Sequence, residues 1–142
     1  MTSIKNIAAV AALLATSASF VSAQASNPEP ITIGRMGVGH GYLMVGWTPT
    51  KTTMLDACNG TRTLIQAVHT NRPSNPLCGY PFEVDGVQNM QLVCDPAKTT
   101  QEIPIAITTD GQLTHNCTYL PLTVYSTYCG GGASLAQNYA CQ

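Results

Sequence analysis

The sequence predicts an all-β or β-rich α+β domain, a small disulfide-stabilised sandwich or barrel with room for one or two short helices. Three observations carry this. Two Asp-Gly dipeptides, Asp85-Gly86 and Asp110-Gly111, each sit between short runs rich in apolar and β-branched residues. Twelve glycines, nine prolines and 16 threonines after residue 23 favour strands and turns over helix. Six cysteines in 142 residues supply a covalent frame.

The N-terminus reads as a targeting segment. Met1–Asn6 carries one cation, Lys5, Ile7–Ala15 is unbroken apolar sequence, and Val21-Ser22-Ala23 places small residues three and one before a cut. This is the layout of a secretory signal peptide, and cleavage is predicted after Ala23. The apolar stretch falls short of the about 20 residues that a membrane-crossing helix needs. The last residues, Gln137–Gln142, are polar and give no lipid-anchor signal. The expected organisation is a signal peptide over 1–23, a flexible leader over 24–30 and a single domain over 31–142, secreted into the extracellular space.

Within the domain, Ile31-Thr32-Ile33 alternates and Tyr42–Trp47 is an aromatic and aliphatic run, with Gly34, Gly37, Gly39 and Gly41 between them. That spacing predicts short extended segments joined by glycine turns. Phe82-Glu83-Val84 and Val87–Val93 flank Asp85-Gly86, while Ile103–Thr108 and Gln112–Cys117 flank Asp110-Gly111. Both read as hairpins, because Asp-Gly suits a turn whose two central residues need positive φ. Thr123–Tyr128 is a further β-branched and aromatic run ending at Cys129. Two stretches carry a thin helical signal: Leu64, Ile65, Ala67 and Val68 within Thr61–Asn71, and Leu135, Ala136, Tyr139 and Ala140 before Cys141. Both are shorter than the about 12–15 residues of a credible isolated helix.

Cys58, Cys78, Cys94, Cys117, Cys129 and Cys141 all lie beyond the cleavage site, and an even number in an exported chain predicts three disulfides. The intervals of 19, 15, 22, 11 and 11 residues contain no C-x-x-C pair, which argues against zinc and against a redox dithiol. The pairing stays open at this level. Asn59-Gly60-Thr61 and Asn116-Cys117-Thr118 are sequons, each adjoining a cysteine; Asn59 is the favoured glycosylation site, and Asn116 is left open.

Charge excludes one large class of partner. Removing residues 1–23 takes Lys5, leaving five Lys and Arg against seven Asp and Glu, a formal charge of −2. No basic face exists to release counterions from nucleic acid. Chemistry is weakly signalled. His40 sits in Gly37–Tyr42, a glycine-rich turn that lacks the spacing of a phosphate loop. His40, His69 and His115, with Asp56, Glu83, Asp85, Asp95, Glu102 and Asp110, offer acid–base groups, and Arg35, Arg62 and Arg72 offer cations. For a small hydrolase such as a ribonuclease the pair His69 and His115 is the first candidate; for a glycosidase it is Glu83 and Glu102. No spacing ties either pair together. Ser134 half-matches a nucleophile elbow but lacks the large α/β sheet that motif requires. No catalytic residue, metal site or cofactor is therefore assigned. Trp47 and the tyrosines remain. An exposed Trp47 would stack on a sugar ring, whereas a small domain gains about 1.5–3 kcal/mol by burying each such side chain; core is the favoured place for Trp47, with ligand stacking the alternative.

The signal peptide ending Val21-Ser22-Ala23-Gln24, the six spaced cysteines and hairpins such as Asp110-Gly111 followed by Cys117 resemble the small secreted cysteine-rich proteins of filamentous fungi, from which candidate effectors are drawn. The resemblance covers the whole length but rests on layout, so it transfers no functional residue. It implies action outside the cell by binding or shielding. The expectation is a secreted, monomeric, non-enzymatic effector-like protein that binds a host extracellular protein or a cell-wall component, without nucleic-acid or membrane binding. The alternatives are a carbohydrate-binding or structural wall protein, and a small secreted hydrolase.

Overall fold

Each Asp-Gly dipeptide closes a two-residue hairpin in the computed structural model, which describes residues 27–39, 41–69, 76–98, 102–121 and 125–142, with 68 and 69 as backbone only. Asp85 and Gly86 have φ of 50° and 83°, and Asp110 and Gly111 have 51° and 79°, the paired positive values such a turn demands. The predicted signal peptide, positions 24–26 of the leader, His40 and Arg72 lie outside the described residues.

The strands are β1 (Ile31–Val38), β2 (Gly41–Trp47), β3 (Thr63–His69), β4 (Pro81–Val84), β5 (Val87–Cys94), β6 (Pro104–Thr109), β7 (Gln112–Tyr119), β8 (Ser126–Gly130) and β9 (Ala133–Cys141). They form one sheet in the order β3-β2-β1-β9-β7-β6-β5-β4, with β8 also paired to β9. The two ends of that order come together. A Cβ built on Gly46 would lie 3.2 Å from Val84 Cγ2 and 3.3 Å from Ile65 Cδ1, so β4 packs against β2 and β3 across the gap and the barrel is nearly closed. Among the described residues, no helix is long and apolar enough to cross a membrane.

The two stretches with a thin helical signal, within Thr61–Asn71 and before Cys141, hold β3 and β9. The reason is local. β3 bulges against β2 between the pairs Met44–Gln66 and Val45–Leu64, leaving Ile65 as the extra residue. β9 bulges against β1 between Ile33–Tyr139 and Gly34–Gln137, leaving Asn138 extra. One extra residue shifts the inward phase by one position, and the broken alternation imitates a helical period. The helix among the described residues is α1 (Met54–Cys58), one short turn opened by a Thr53/Asp56 capping box. Arg62 Nη1 closes its other end by donating to the carbonyls of Ala57 and Cys58 at 2.6 and 3.0 Å.

The central strands bury both faces. Inside the barrel, Ile31, Ile33, Met44, Phe82, Val84, Met90, Leu92, Ile107, Tyr139 and Cys141 form one core. On the outer face of β1, β2 and β9, a second core of Met36, Val45, Trp47, Ala57, Cys58 and Leu135 is covered by α1, with Cys129 of the edge strand β8 packed against it. Gly34 is glycine for this reason: an added Cβ would stand 2.7 Å from the Trp47 ring and 2.9 Å from the Ala136 carbonyl.

Three disulfides hold this arrangement, Cys58–Cys129, Cys78–Cys94 and Cys117–Cys141, and no described cysteine is free. Cys117 and Cys141 face each other directly across β7 and β9. Cys58–Cys129 spans 71 residues and clamps α1 to β8 over the second core. The chain-entropy argument puts the stabilisation from so long a loop at about 4 kcal/mol. Replacing both Cys58 and Cys129 by Ala should therefore lower the unfolding free energy by about that amount. Chemical denaturation measures it, and Trp47 emission should shift to the red as the indole loses its cover.

Candidate functional site

Strand β9 shares one edge between two partners. β7 pairs with residues 139–141 and β8 with residues 133–136. At the handover, Leu120 N–H donates to the Asn138 carbonyl at 2.7 Å, and Gln137 N–H donates to the Tyr125 carbonyl at 2.8 Å. Beyond it, β6, β5 and β4 do not follow, while β3, β2, β1, β9 and β8 continue. These five strands form a lip past the barrel mouth. The outer face of the lip is the second core; its inner face is open.

Register lays out the inner face in rows, because residues opposite one another share a face. Tyr128, Ser134, Gly37 and Tyr42 form one row, and Ser126, Ala136, Arg35 and Met44 form the next. Tyr128 is 69% exposed, and its hydroxyl accepts a hydrogen bond from Gly132 N–H at 3.2 Å, which fixes the phenol over its own hairpin. The Gly130-Gly131-Gly132 corner permits this, with φ of 82°, 58° and 81°. The Arg35 guanidinium carbon lies 4.6 Å from the Tyr42 ring centroid, a cation–π contact. Deeper in the mouth, Tyr139 meets Tyr119 edge to face with centroids 5.6 Å apart, and Tyr119 remains 53% exposed. Burial, reinforced by the neighbouring Tyr119 and Tyr42, pushes the Tyr139 phenol above its ordinary pKa of 10.0. Four tyrosines and one arginine thus gather at one end of the barrel, and the two rows contain no carboxylate.

The acid–base candidates are dispersed. His69 ends β3 opposite Gly41 at the lip, and its side chain lies outside the described residues. His115 lies beyond Cys117 at the far end of the barrel. The length of β1 separates the two levels by about 20 Å, so the structure does not bring this pair together. His115 is 3% exposed; its Nε2–H donates to the Glu29 carbonyl at 2.9 Å, and its Nδ1 contacts Thr114 Oγ1 at 2.9 Å. It therefore ties the described part of the leader to the barrel base. Lys51 pairs with Glu29 there at 2.6 Å.

The carboxylates do local work. Asp56 caps α1, Asp95 accepts from Ala97 N–H at 2.9 Å, and Asp110 accepts from Asn89 Nδ2 at 2.9 Å. Glu102 accepts from Leu77 N–H, while Glu83 lies exposed on β4 between the inward Phe82 and Val84, and no hydrogen bond joins the two glutamates. Ser134 is the second residue of β9, in extended strand and not on a strand-to-helix elbow. Among the described residues, no group of histidine, cysteine and acidic side chains is placed to hold a metal. A shallow depression of about 410 Å³ at the barrel base, lined by Asn27, Pro28, Pro30, Thr114 and Gln142, collects no acid–base pair.

Trp47 is 4% exposed and in contact with the Gly34 backbone, so its ring is core and unavailable for sugar stacking. Both sequon asparagines are exposed, Asn59 at the end of α1 and Asn116 on the outer face of β7. The sequence reading missed the tyrosine mouth. The alternation Ser126–Tyr128 and Tyr42–Met44 signalled faces, but nothing linear joins them to Arg35. Comparison with protein-family models, curated proteins and solved structures gives no match.

Two measurements check this geometry. Acrylamide should quench Trp47 emission only weakly in the native protein. Stability should fall as pH rises through the ordinary tyrosine range, because the unfolded chain ionises there while native Tyr139 stays neutral, and the fall should continue until the native phenol ionises. Below that range the phenol is neutral in both states and adds no pH dependence. Tyr139→Phe should flatten the alkaline decline in denaturation midpoints.

Proposed function

We propose that this protein is an extracellular, non-enzymatic binding protein of effector type, and that it engages a host or cell-wall component through the mouth of its barrel. The observation that supports this reading most is the gathering of Tyr42, Tyr119, Tyr128 and Tyr139 with Arg35 on one open end. Tyrosine offers apolar area and a polar tip at low conformational cost, the residue type that recognition surfaces favour. Two of the four rings, Tyr128 and Tyr119, are more than half exposed. The disulfide frame holds them rigidly, so little ordering entropy is lost on binding.

The hydrolase alternative has less behind it. His115 is committed to the leader backbone, and the carboxylates hold turns and caps. Three disulfides in a small domain are compatible with an oxidising, extracellular setting.

The test uses the purified, oxidised protein against isolated cell-wall material and host extracellular fluid. Retention on at least one fraction is expected, reduced by about fivefold in Tyr128→Ala and unchanged in Leu113→Ala, an exposed position on β7 near the opposite end. Turnover of RNA or polysaccharide that disappears in a folded His115→Gln variant would overturn the reading, as would equal retention of Tyr128→Ala and wild type.

A further inference from the structure

Resting on the binding role just proposed, we infer that the inner face of the lip takes a polysaccharide built of uronic acid units, with Arg35 receiving a sugar carboxylate and Tyr128 and Tyr119 packing on pyranose faces. Charge complementarity sets the ligand class. Arg35 is exposed, and no carboxylate among the described residues lies within ion-pair distance of it; the one such pair found, Lys51–Glu29, is at the other end of the barrel. The Tyr42 ring lies against the guanidinium, and among the described residues no side chain or carbonyl accepts a hydrogen bond from it. A fixed guanidinium is the side chain best matched to a planar carboxylate.

The surroundings suit a sugar chain better than a denser polyanion. One cation set among tyrosines matches a polymer with one carboxylate per ring. Nucleic acid or a heavily sulfated chain would call for several, and the formal charge of the whole sequence is −1. The floor between the aromatic ends is low. Gly37, Ser134 and Ala136 occupy it, and a Cβ at Gly37 would already stand 3.3 Å from Ser134 Oγ. Tyr128 and Tyr42 are three strands apart in one row, about 14 Å at the usual strand spacing. That distance exceeds a single ring, so the trough fits a run of linked units. Tyr128 is pinned by Gly132 N–H before any ligand arrives.

The experiment is affinity electrophoresis of the oxidised protein through gels containing polygalacturonate, its fully methyl-esterified form, or a neutral β-glucan, with chitin tested by co-sedimentation. Polygalacturonate should retard the wild type. Methyl esterification or Arg35→Gln should weaken retardation by about tenfold, Tyr128→Ala by about fivefold, and Arg35→Lys by less than Arg35→Gln. Salt near 1 M, where the screening length is about 3 Å, should weaken it as well. Both positions are exposed, so unchanged thermal midpoints should accompany these losses. Equal retardation by free and esterified polymer, or retardation indifferent to Arg35→Gln, would overturn the assignment. So would absence of any retardation by polygalacturonate. In that last case, retention on wall or host fractions that still depends on Tyr128 would leave the binding role standing and point to a different ligand, whereas loss of both would remove the two together.

Discussion

Everything in this molecule hangs on the two edges of β9. One edge is occupied along its length by β1, the other first by β8 and then by β7. Backbone donors and acceptors buried in a sheet must all be paired, so the handover at Leu120 and Tyr125 dictates where the barrel stops and the sheet goes on. The open lip is a by-product of that pairing rule. Asn138, the bulged residue at the junction, is 8% exposed and carries a side-chain oxygen without a hydrogen-bond partner, a local cost of the handover.

Burial on both faces follows. A sheet that extends past its barrel exposes its outer side, and five residues of helix with one short strand are little cover. The Cys58–Cys129 bond makes that cover permanent. It also explains the unusual demand on β1 and β2: Ile33 faces the barrel while Gly34 makes room for Trp47 behind it. The inner side of the lip needs no such cover, since its rows hold small residues, tyrosines and one arginine, with Met44 already buried in the barrel core.

The parts of this fold that could be read in the sequence are those governed by nearest neighbours. Asp85-Gly86 and Asp110-Gly111 declare their turns through φ alone, and the cysteine spacing declares disulfides through the absence of metal-like pairs. Strands β3 and β9 carry a thin helical signal because bulges at Ile65 and Asn138 each displace the inward phase by one residue, and because β9 buries both faces. Trp47 obeyed the simple preference of a large ring for the core. The mouth was hidden for another reason. Arg35, Tyr42, Tyr119, Tyr128 and Tyr139 come from five different strands, and only register brings them to one face. The same reasoning separates His69 from His115: composition supplies both, and topology places them at opposite ends.

The pairing of β1 with β9 has a kinetic side. Thr32 and Gln137, hydrogen-bonded across that pair, are 105 residues apart. Contacts of such high sequence separation are closed late, because the loop entropy must be spent before the contact returns anything. The β4–β7 meander, with its tight turns and the local Cys78–Cys94 link, has no such wait. Assembly should therefore start from the meander and the local β1–β2 hairpin, with the β1–β9 seam closing last, once the ninth strand has been made.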